Sequence, residues 1–252
     1  MQACWGLAGR VALVTGAATG IGRATALALA RAQVAVAVNH LRQPQEAAQL
    51  LAELRALGVR AAAFDADVSR ADDAAALVQA VEQALGPIDV LVNNAGIILE
   101  KPLVQTTEDE WDRLLAVDLK SVFLVTRAVL PGMQARGRGA IVNVASDLGL
   151  LGRAHYTAYC AAKAGVIGLT RALAREVAPA IRVNAVAPGA VRTAMVSPQS
   201  MSAQSLAQEL AVPQQRIAEP DEIAASVVFL ASELARFYCG QVLGPNGGSV
   251  MV

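Results

Sequence analysis

A chain of 252 residues with 21 basic and 21 acidic side chains carries no formal net charge, and only 17% of its residues are charged. No basic run is present. The clustered positive charge that nucleic-acid phosphates and anionic membrane surfaces require is therefore missing, which argues against both as partners. Hydrophobic residues make up 55% and aromatics only 4%. That content excludes disorder and lets a chain of this length bury roughly 70–75% of its unfolded surface. No apolar run approaches the roughly 18 residues of a spanning helix, and Met1–Gly6 lacks the charged-then-apolar pattern of a signal peptide. Cys4, Cys160 and Cys239 are scattered without disulfide or zinc spacing and read as reduced thiols of a cytoplasmic protein. His40 and His155 lie far apart in sequence, so no metal site is expected.

Short β-branched runs alternate with longer Ala/Leu-rich segments from end to end. Strands are predicted at 10–15, 34–39, 60–65, 88–92, 140–145, 181–187 and 241–243. Several are apolar at consecutive positions, as in a parallel sheet covered on both faces. Helices are predicted at about 21–32, 43–57, 70–85, 108–135, 156–178 and 221–232. Thr107 and Glu110 have the spacing of a capping box that opens the fourth helix, and Pro220-Asp221-Glu222 opens the last with acidic residues in its first turn. The alternation predicts one α/β domain spanning residues 1–252: a Rossmann-type, doubly wound parallel sheet of about seven strands in three α/β/α layers. One long irregular segment, about 188–213, has the length of a substrate lid.

Directly after the first strand comes Thr15-Gly16-Ala17-Ala18-Thr19-Gly20-Ile21-Gly22, leading into a helix. Glycines there permit a tight turn and close backbone approach, and the helix N-terminus offers N–H groups to a pyrophosphate. Asp67-Val68 and Asn93-Asn94-Ala95-Gly96 follow the third and fourth strands, at carboxyl ends where open α/β sheets bind ligands. The second of these also reads as a simple polar turn.

Tyr159 and Lys163 stand one helical turn apart, so phenol and ammonium can be neighbours. With three tyrosines and three lysines in the chain, chance supplies only about 0.04 such pairs. A tyrosine is too weak an acid to act as a base near neutrality, and a cation beside it lowers its pKa. Ser146 follows the fifth strand and is placed to hydrogen-bond a substrate oxygen. Val144 breaks the GxSxG pattern and neither histidine is spaced as its partner, so hydrolase chemistry is not supported.

In these motifs the chain resembles the short-chain dehydrogenase/reductase family nearly end to end, closest to its 3-oxoacyl-acyl-carrier-protein reductase-like branch. Thr15–Gly22, Asp67-Val68, Asn93–Gly96, Ser146, Tyr159–Lys163, Arg182-Val183-Asn184, Pro188-Gly189, Thr193 and Gly240-Gln241 carry the resemblance. It implies an NAD(P)-dependent oxidoreductase moving a hydride between a nicotinamide and a ketone or secondary alcohol. Tyr159 would be the general acid or base, Lys163 its pKa partner and a ribose contact, and Ser146 the group that polarises the substrate oxygen. Gly16, Thr19, Gly20, Ile21, Gly22, Asp67, Val68, Asn93, Ala95 and Gly96 would hold the dinucleotide. Pro188, Gly189, Val191 and Thr193 would hold the nicotinamide. The resemblance also implies a homotetramer packed through the helices near 108–135 and 156–178.

The chain departs from the family pattern at Asp118, where an Asn usually helps position a water beside the active-site lysine. Asp118 would serve that water through its main-chain carbonyl or add an unhelpful negative charge. Gly244-Pro245-Asn246-Gly247-Gly248 stands where a Val-Asp-Gly-Gly ending is common. After the second strand, His40 and Arg42 stand where an NAD site usually carries a carboxylate; with no acid there and Arg42 able to meet a 2′-phosphate, NADP is favoured over NAD. Thr19 stands where many NADP-dependent relatives have Arg. Asp147, Leu148, Arg153, His155, Tyr156 and the loop over 190–213, with Ser146, are the candidate substrate-pocket walls. The substrate is a small carbonyl or alcohol compound, with 3-oxoacyl or small-ketone reduction leading and an NAD-dependent alcohol or sugar dehydrogenase as the alternative. A catalytically silent nucleotide-binding regulator is the rival of a different class.

Overall fold

The computed structural model describes residues 5–196 and 203–251. Cys4 and residues 197–202 of the expected substrate loop lie outside them. Seven strands form: β1 (Val11–Val14), β2 (Ala35–His40), β3 (Ala61–Asp65), β4 (Val90–Asn93), β5 (Gly139–Val144), β6 (Ile181–Val186) and β7 (Val242–Leu243). They join in one sheet of order β3-β2-β1-β4-β5-β6-β7, and every pairing is parallel. β1, β2 and β4 are buried along their whole length, whereas edge strand β3 is not. The reason is visible in β1. Ala12 and Val14 enter one core, and Val11 and Leu13 enter the other, so a strand between two helical layers needs apolar residues at every position.

The first core is closed by α1 (Gly20–Arg31), α2 (Pro44–Ala56) and α9 (Pro220–Ala231). The second is closed by α3 (Ala71–Leu85), α5 (Ser121–Arg136) and α7 (Thr157–Val177). This is the three-layer, doubly wound architecture read from the sequence. The strand order reverses between β1 and β4, which opens a crevice above their carboxyl ends.

Buried polar groups tie the layers together. Asn93 donates to Thr126 at 3.0 Å and to Asn143 at 2.8 Å, and Asn143 donates to Thr170 at 2.9 Å, linking β4, β5, α5 and α7. Arg182 on β6 donates to the carbonyls of Leu230, Ala231, Ser232 and Ala235, satisfying the end of α9.

Three elements differ from the sequence reading. The helix expected over 108–135 is α4 (Glu108–Leu115), opened by the Thr107–Glu110 capping box, then a π-helical turn over Ala116–Lys120, then α5. The wide turn admits the extra residue that lets Asp118 face inward, and such turns gather at functional sites. A short α6 (Leu148–Leu151) follows Ser146. The segment expected to be irregular contains α8 (Ala203–Leu210). Its apolar spacing at Ala203, Leu206, Ala207 and Leu210 is helical and was legible. None of the described helices is long and apolar enough to cross a membrane.

Candidate active site

A cleft of about 380 Å³ lies along the carboxyl ends of the strands. The glycine-rich turn forms one end. Gly16 and Gly20 have φ of +59° and +55°, a region that disfavours side chains. A Cβ on Gly16 would come within 2.9 Å of Ala95 Cα, so the β1 and β4 loops touch there. Thr15 holds them together: its Oγ1 accepts the N–H groups of Asn94 at 2.9 Å and Ala95 at 3.1 Å. Asn94 donates in turn to the carbonyls of Thr15 and Gly16. Asn39 accepts the Gly16 N–H at 3.3 Å and donates to Ala66 at 3.0 Å. No side chain caps the start of α1, so its first N–H groups face the cleft.

Lys163 lies deeper, 4% exposed. Its Nζ donates to the Val144 carbonyl at 3.1 Å and sits 3.1 Å from Oδ2 of the fully buried Asp118. Asp118 Oδ1 accepts the Ile97 N–H at 2.8 Å. A Cβ on Gly96 would stand 2.9 Å from Asp118 Oδ2, so only glycine leaves room for the ion pair. Tyr159 is half-buried, with the Lys163 ammonium 5.5 Å from its ring centre. Ser146 Oγ accepts the Leu148 N–H at 3.2 Å and lies 3.2 Å from Asp147 Oδ1.

The electrostatics differ from the simple Tyr–Lys expectation. Burial pushes the Tyr159 phenol up, Lys163 pulls it down, Asp118 pushes it up again, and the Ser146 hydroxyl pulls it down; the result lies above its ordinary value. Burial also raises the Asp118 carboxyl, against the pull of Lys163 and the Ile97 N–H. For Lys163, burial opposes the charge but Asp118 and Tyr159 outweigh it, and its pKa is raised. The cation is present as expected, yet burial of the phenol outweighs its pull and Asp118 adds to the burial. At the other end, the Ser69 hydroxyl, 2.6 Å from Asp67 Oδ1, holds that carboxyl below its ordinary range.

Of the residues singled out in the sequence, Gly16, Thr19, Gly20, Ile21, Asp67, Val68, Ala95, Gly96, Asp118, Ser146, Tyr159, Lys163, Pro188, Gly189, Val191 and Thr193 line this cleft. Several others do not line it. Gly22 serves packing, since a Cβ there would meet the Gly16 carbonyl at 2.4 Å. Asn93, the last residue of β4, turns its side chain into the buried Asn–Thr chain, and it is Asn94 that reaches the cleft. His40 is buried and its Nδ1 accepts the Gln43 N–H at 3.3 Å. Arg42 has φ +54° and gives its backbone N–H to Asp65, while Leu41 and Gln43 on either side line the cleft.

Apart from Ser146 and loop residues 191 and 193–196, the expected substrate wall is placed elsewhere. Asp147 is buried and accepts the Ser249 hydroxyl at 2.6 Å. Leu148 is buried at the start of α6. His155 is exposed, with φ +70°, and its carbonyl takes the Lys101 N–H. Tyr156 is 2% exposed and donates to Glu100 at 2.8 Å, with Arg153 over its ring. At three and four residues before Tyr159, these side chains were expected to face the pocket. The loop before α7 has a positive-φ kink at His155, so helical spacing does not apply there. Ile97, Ile98 and Val117 are lining residues that the sequence reading missed.

A family profile described as short chain dehydrogenase matches residues 10–204. The chain belongs to that family. It is 43% identical over 240 residues to nodulation protein G of Azospirillum brasilense, covering 95% of this chain and 97% of that protein. It is 41% identical over 246 residues to a 3-oxoacyl-acyl-carrier-protein reductase of Thermotoga maritima, covering 97% and 99%. A crystal structure described as a short-chain alcohol dehydrogenase of Sinorhizobium meliloti superposes with a TM-score of 0.90 at 38% identity, over 95% and 96% of the two chains. The protein is thus an NAD(P)-dependent oxidoreductase acting on CH–OH groups and the matching carbonyls. Its residues fit a nicotinamide dinucleotide: the positive-φ glycines, the uncapped α1 N-terminus and the bare backbone at Ala95-Gly96 make a cradle that side chains would fill.

Proposed function

We propose that this dehydrogenase family member is a cytoplasmic, NADPH-dependent reductase of ketones, with 3-oxoacyl thioesters as the leading substrate class. The observation that carries the reading is the convergence of Ser146, Tyr159 and Lys163 on one cleft that begins at the glycine-rich turn. The reduced nicotinamide supplies the hydride when bound. Ser146 hydrogen-bonds the substrate oxygen, Tyr159 gives it a proton, and Lys163 binds the ribose while holding the phenol in place. Gly16, Thr19, Gly20 and Ile21 take the pyrophosphate end; Asp67, Val68, Ala95 and Gly96 take the adenosine side; Pro188, Gly189, Val191 and Thr193 wall the nicotinamide. Ile97, Ile98, Val117 and Met195 supply the apolar surface beside the reacting carbon.

No carboxylate follows β2 to claim a ribose 2′-hydroxyl, and Arg42 springs from between two lining residues, Leu41 and Gln43. Both points support NADP. Because Arg42 itself is not among the lining residues, an NAD-dependent alcohol or sugar dehydrogenase is the second reading. The single domain would assemble as a homotetramer. Phe123 on α5, 48% exposed, and Phe237, 99% exposed, support burial against further copies.

The test is a panel of 3-oxoacyl thioesters, small ketones and secondary alcohols assayed with both cofactors in both redox states. Reduction of 3-oxoacyl thioesters with NADPH at least tenfold ahead of NADH is the expected result. A tenfold preference for NADH, or turnover confined to alcohols or sugars, would overturn it.

A further inference from the structure

Around Tyr159 the chain builds a buried charge balance in three parts. Lys163 is four residues on in α7, with its Nζ 5.5 Å from the tyrosine ring centre. Asp118 comes from the π-helical turn, with no solvent exposure and its Oδ2 3.1 Å from that same Nζ. The Asp118 carboxylate is committed on its other side to the Ile97 N–H at 2.8 Å. Gly96 closes over it so tightly that a single added carbon would collide. The carboxylate is therefore held beside Lys163. With phenol, ammonium and carboxylate together, the cluster is neutral while Tyr159 is protonated. Ionising the phenol leaves a net negative charge in a low-dielectric pocket, which is unfavourable. A lysine without this partner would make the phenolate state the neutral one.

We propose that Asp118 is a positioning residue that neutralises Lys163 and so keeps Tyr159 in its proton-donating form up to alkaline pH. The proposal rests on the reductase reading above. In the reduction direction the Tyr159 O–H bond breaks as the new O–H bond forms on the substrate oxygen, while the carbonyl carbon takes the hydride from the reduced nicotinamide. The phenolate left behind is reprotonated from solvent. Alcohol oxidation runs the same bonds backwards and needs the phenolate at the start. Asp118 therefore extends the pH range of reduction upward and raises the pH at which oxidation begins. The other groups bearing on the phenol act from the end of β5: the Ser146 hydroxyl favours its ionisation and Asp147 opposes it, the latter with Oδ2 taken by Ser249. Tyr159 lies above its ordinary value first through burial, with Asp118 adding to the rise against the pull of Lys163.

The experiment compares pH profiles of kcat/KM for reduction and oxidation in the wild type and in Asp118→Asn. The alkaline fall of reduction and the rise of oxidation should both move to lower pH by about one unit or more. Profiles that stay together to within a few tenths of a unit would overturn the proposal. A role limited to packing would change rates and stability without moving either limb. Should Asp118→Asn not fold, the phenolate absorbance of the wild type, with Tyr159→Phe subtracted, decides the matter. Tyr159 is expected to ionise only above the ordinary phenol range, and ionisation near neutrality would sink the idea. That titration needs no substrate. If no carbonyl or alcohol is turned over, the reductase reading fails while the charge balance is still judged.

Discussion

Ser249, three residues from the end of the chain, donates its hydroxyl to Asp147 at 2.6 Å across 102 residues of sequence. Asp147 is buried, and its other oxygen lies 3.2 Å from the Ser146 hydroxyl. The carboxyl-terminal segment thus decides how strongly Asp147 competes for the group proposed to polarise the substrate. Asn246 shapes that segment by accepting the Gly248 N–H at 2.9 Å and donating to the Val250 carbonyl at 3.0 Å. Gly189 packs against it, since a Cβ there would meet the Asn246 carbonyl at 2.9 Å. The unusual ending Gly244–Gly248 therefore reaches the active site through Asp147.

Ser249→Ala leaves the buried Asp147 carboxylate one donor short, and Ser146 becomes its nearest substitute. We expect kcat to fall on the order of tenfold and folding stability to drop by about 1–3 kcal/mol, with cofactor affinity unchanged. Steady-state kinetics, denaturant unfolding and a cofactor titration measure the three. Wild-type kcat in this variant would show that Ser146 does not depend on the tail.

Tyr159→Phe removes the proton donor and little volume. Hydride transfer should fall by about 10²-fold to 10⁴-fold while the cofactor still binds. Stopped-flow observation of nicotinamide oxidation, with binding followed by fluorescence, separates the two effects. Near-normal turnover would remove Tyr159 from the mechanism.

Gly96→Ala forces a methyl group to 2.9 Å from Asp118 Oδ2 and 3.4 Å from Lys163 Nζ. Both atoms are fixed by other bonds, so the collision cannot relax cheaply. A loss of about 1–3 kcal/mol in folding stability is expected, together with lower kcat. Thermal unfolding that matched wild type would mean that the ion pair can move aside.

Glu222 accepts both guanidinium nitrogens of Arg216 at 2.7 Å and the Glu219 N–H at 2.8 Å, and its carboxyl is held down to about 2, first by Arg216. A carboxylate depressed in the folded state stabilises it above the unfolded pKa, and that contribution is lost as pH falls towards the folded value. The window therefore runs from the ordinary 4.5 down to about 2. Carbon-detected NMR titration should find Glu222 ionising near 2 in the wild type and close to its ordinary value in Arg216→Gln. An unchanged midpoint in the variant would show that the pair does not form in solution.

Much of the fold was legible because its causes are local. A strand covered on both faces is apolar at successive positions, as β1 is throughout and β2 and β4 are until their polar carboxyl ends. A capping box is a four-residue event, and Thr107–Glu110 forms as read. Tyr159 and Lys163 meet through helix geometry alone, and glycine has few substitutes where φ is positive, as at Gly16 and Gly20.

What sequence reasoning missed lies between segments far apart in the chain. Whether Asn93 or Asn94 reaches the cleft depends on where β4 ends and which way its last side chain points. Arg42 stands apart from its lining neighbours Leu41 and Gln43 because the loop after β2 turns through a positive φ. His155 and Tyr156 leave the expected wall because the chain kinks before α7. The protonation of Tyr159 shows the division best. Spacing alone made a tyrosine and a lysine neighbours, and the family resemblance implied that both stand beside a dinucleotide turn. Only the tertiary structure decided that Asp118 would neutralise that lysine, because a π-helical turn and the missing Cβ of Gly96 bring a buried carboxylate to 3.1 Å. Charge interactions in a low-dielectric interior depend on distance and burial, and neither is encoded in the spacing of residues along a chain.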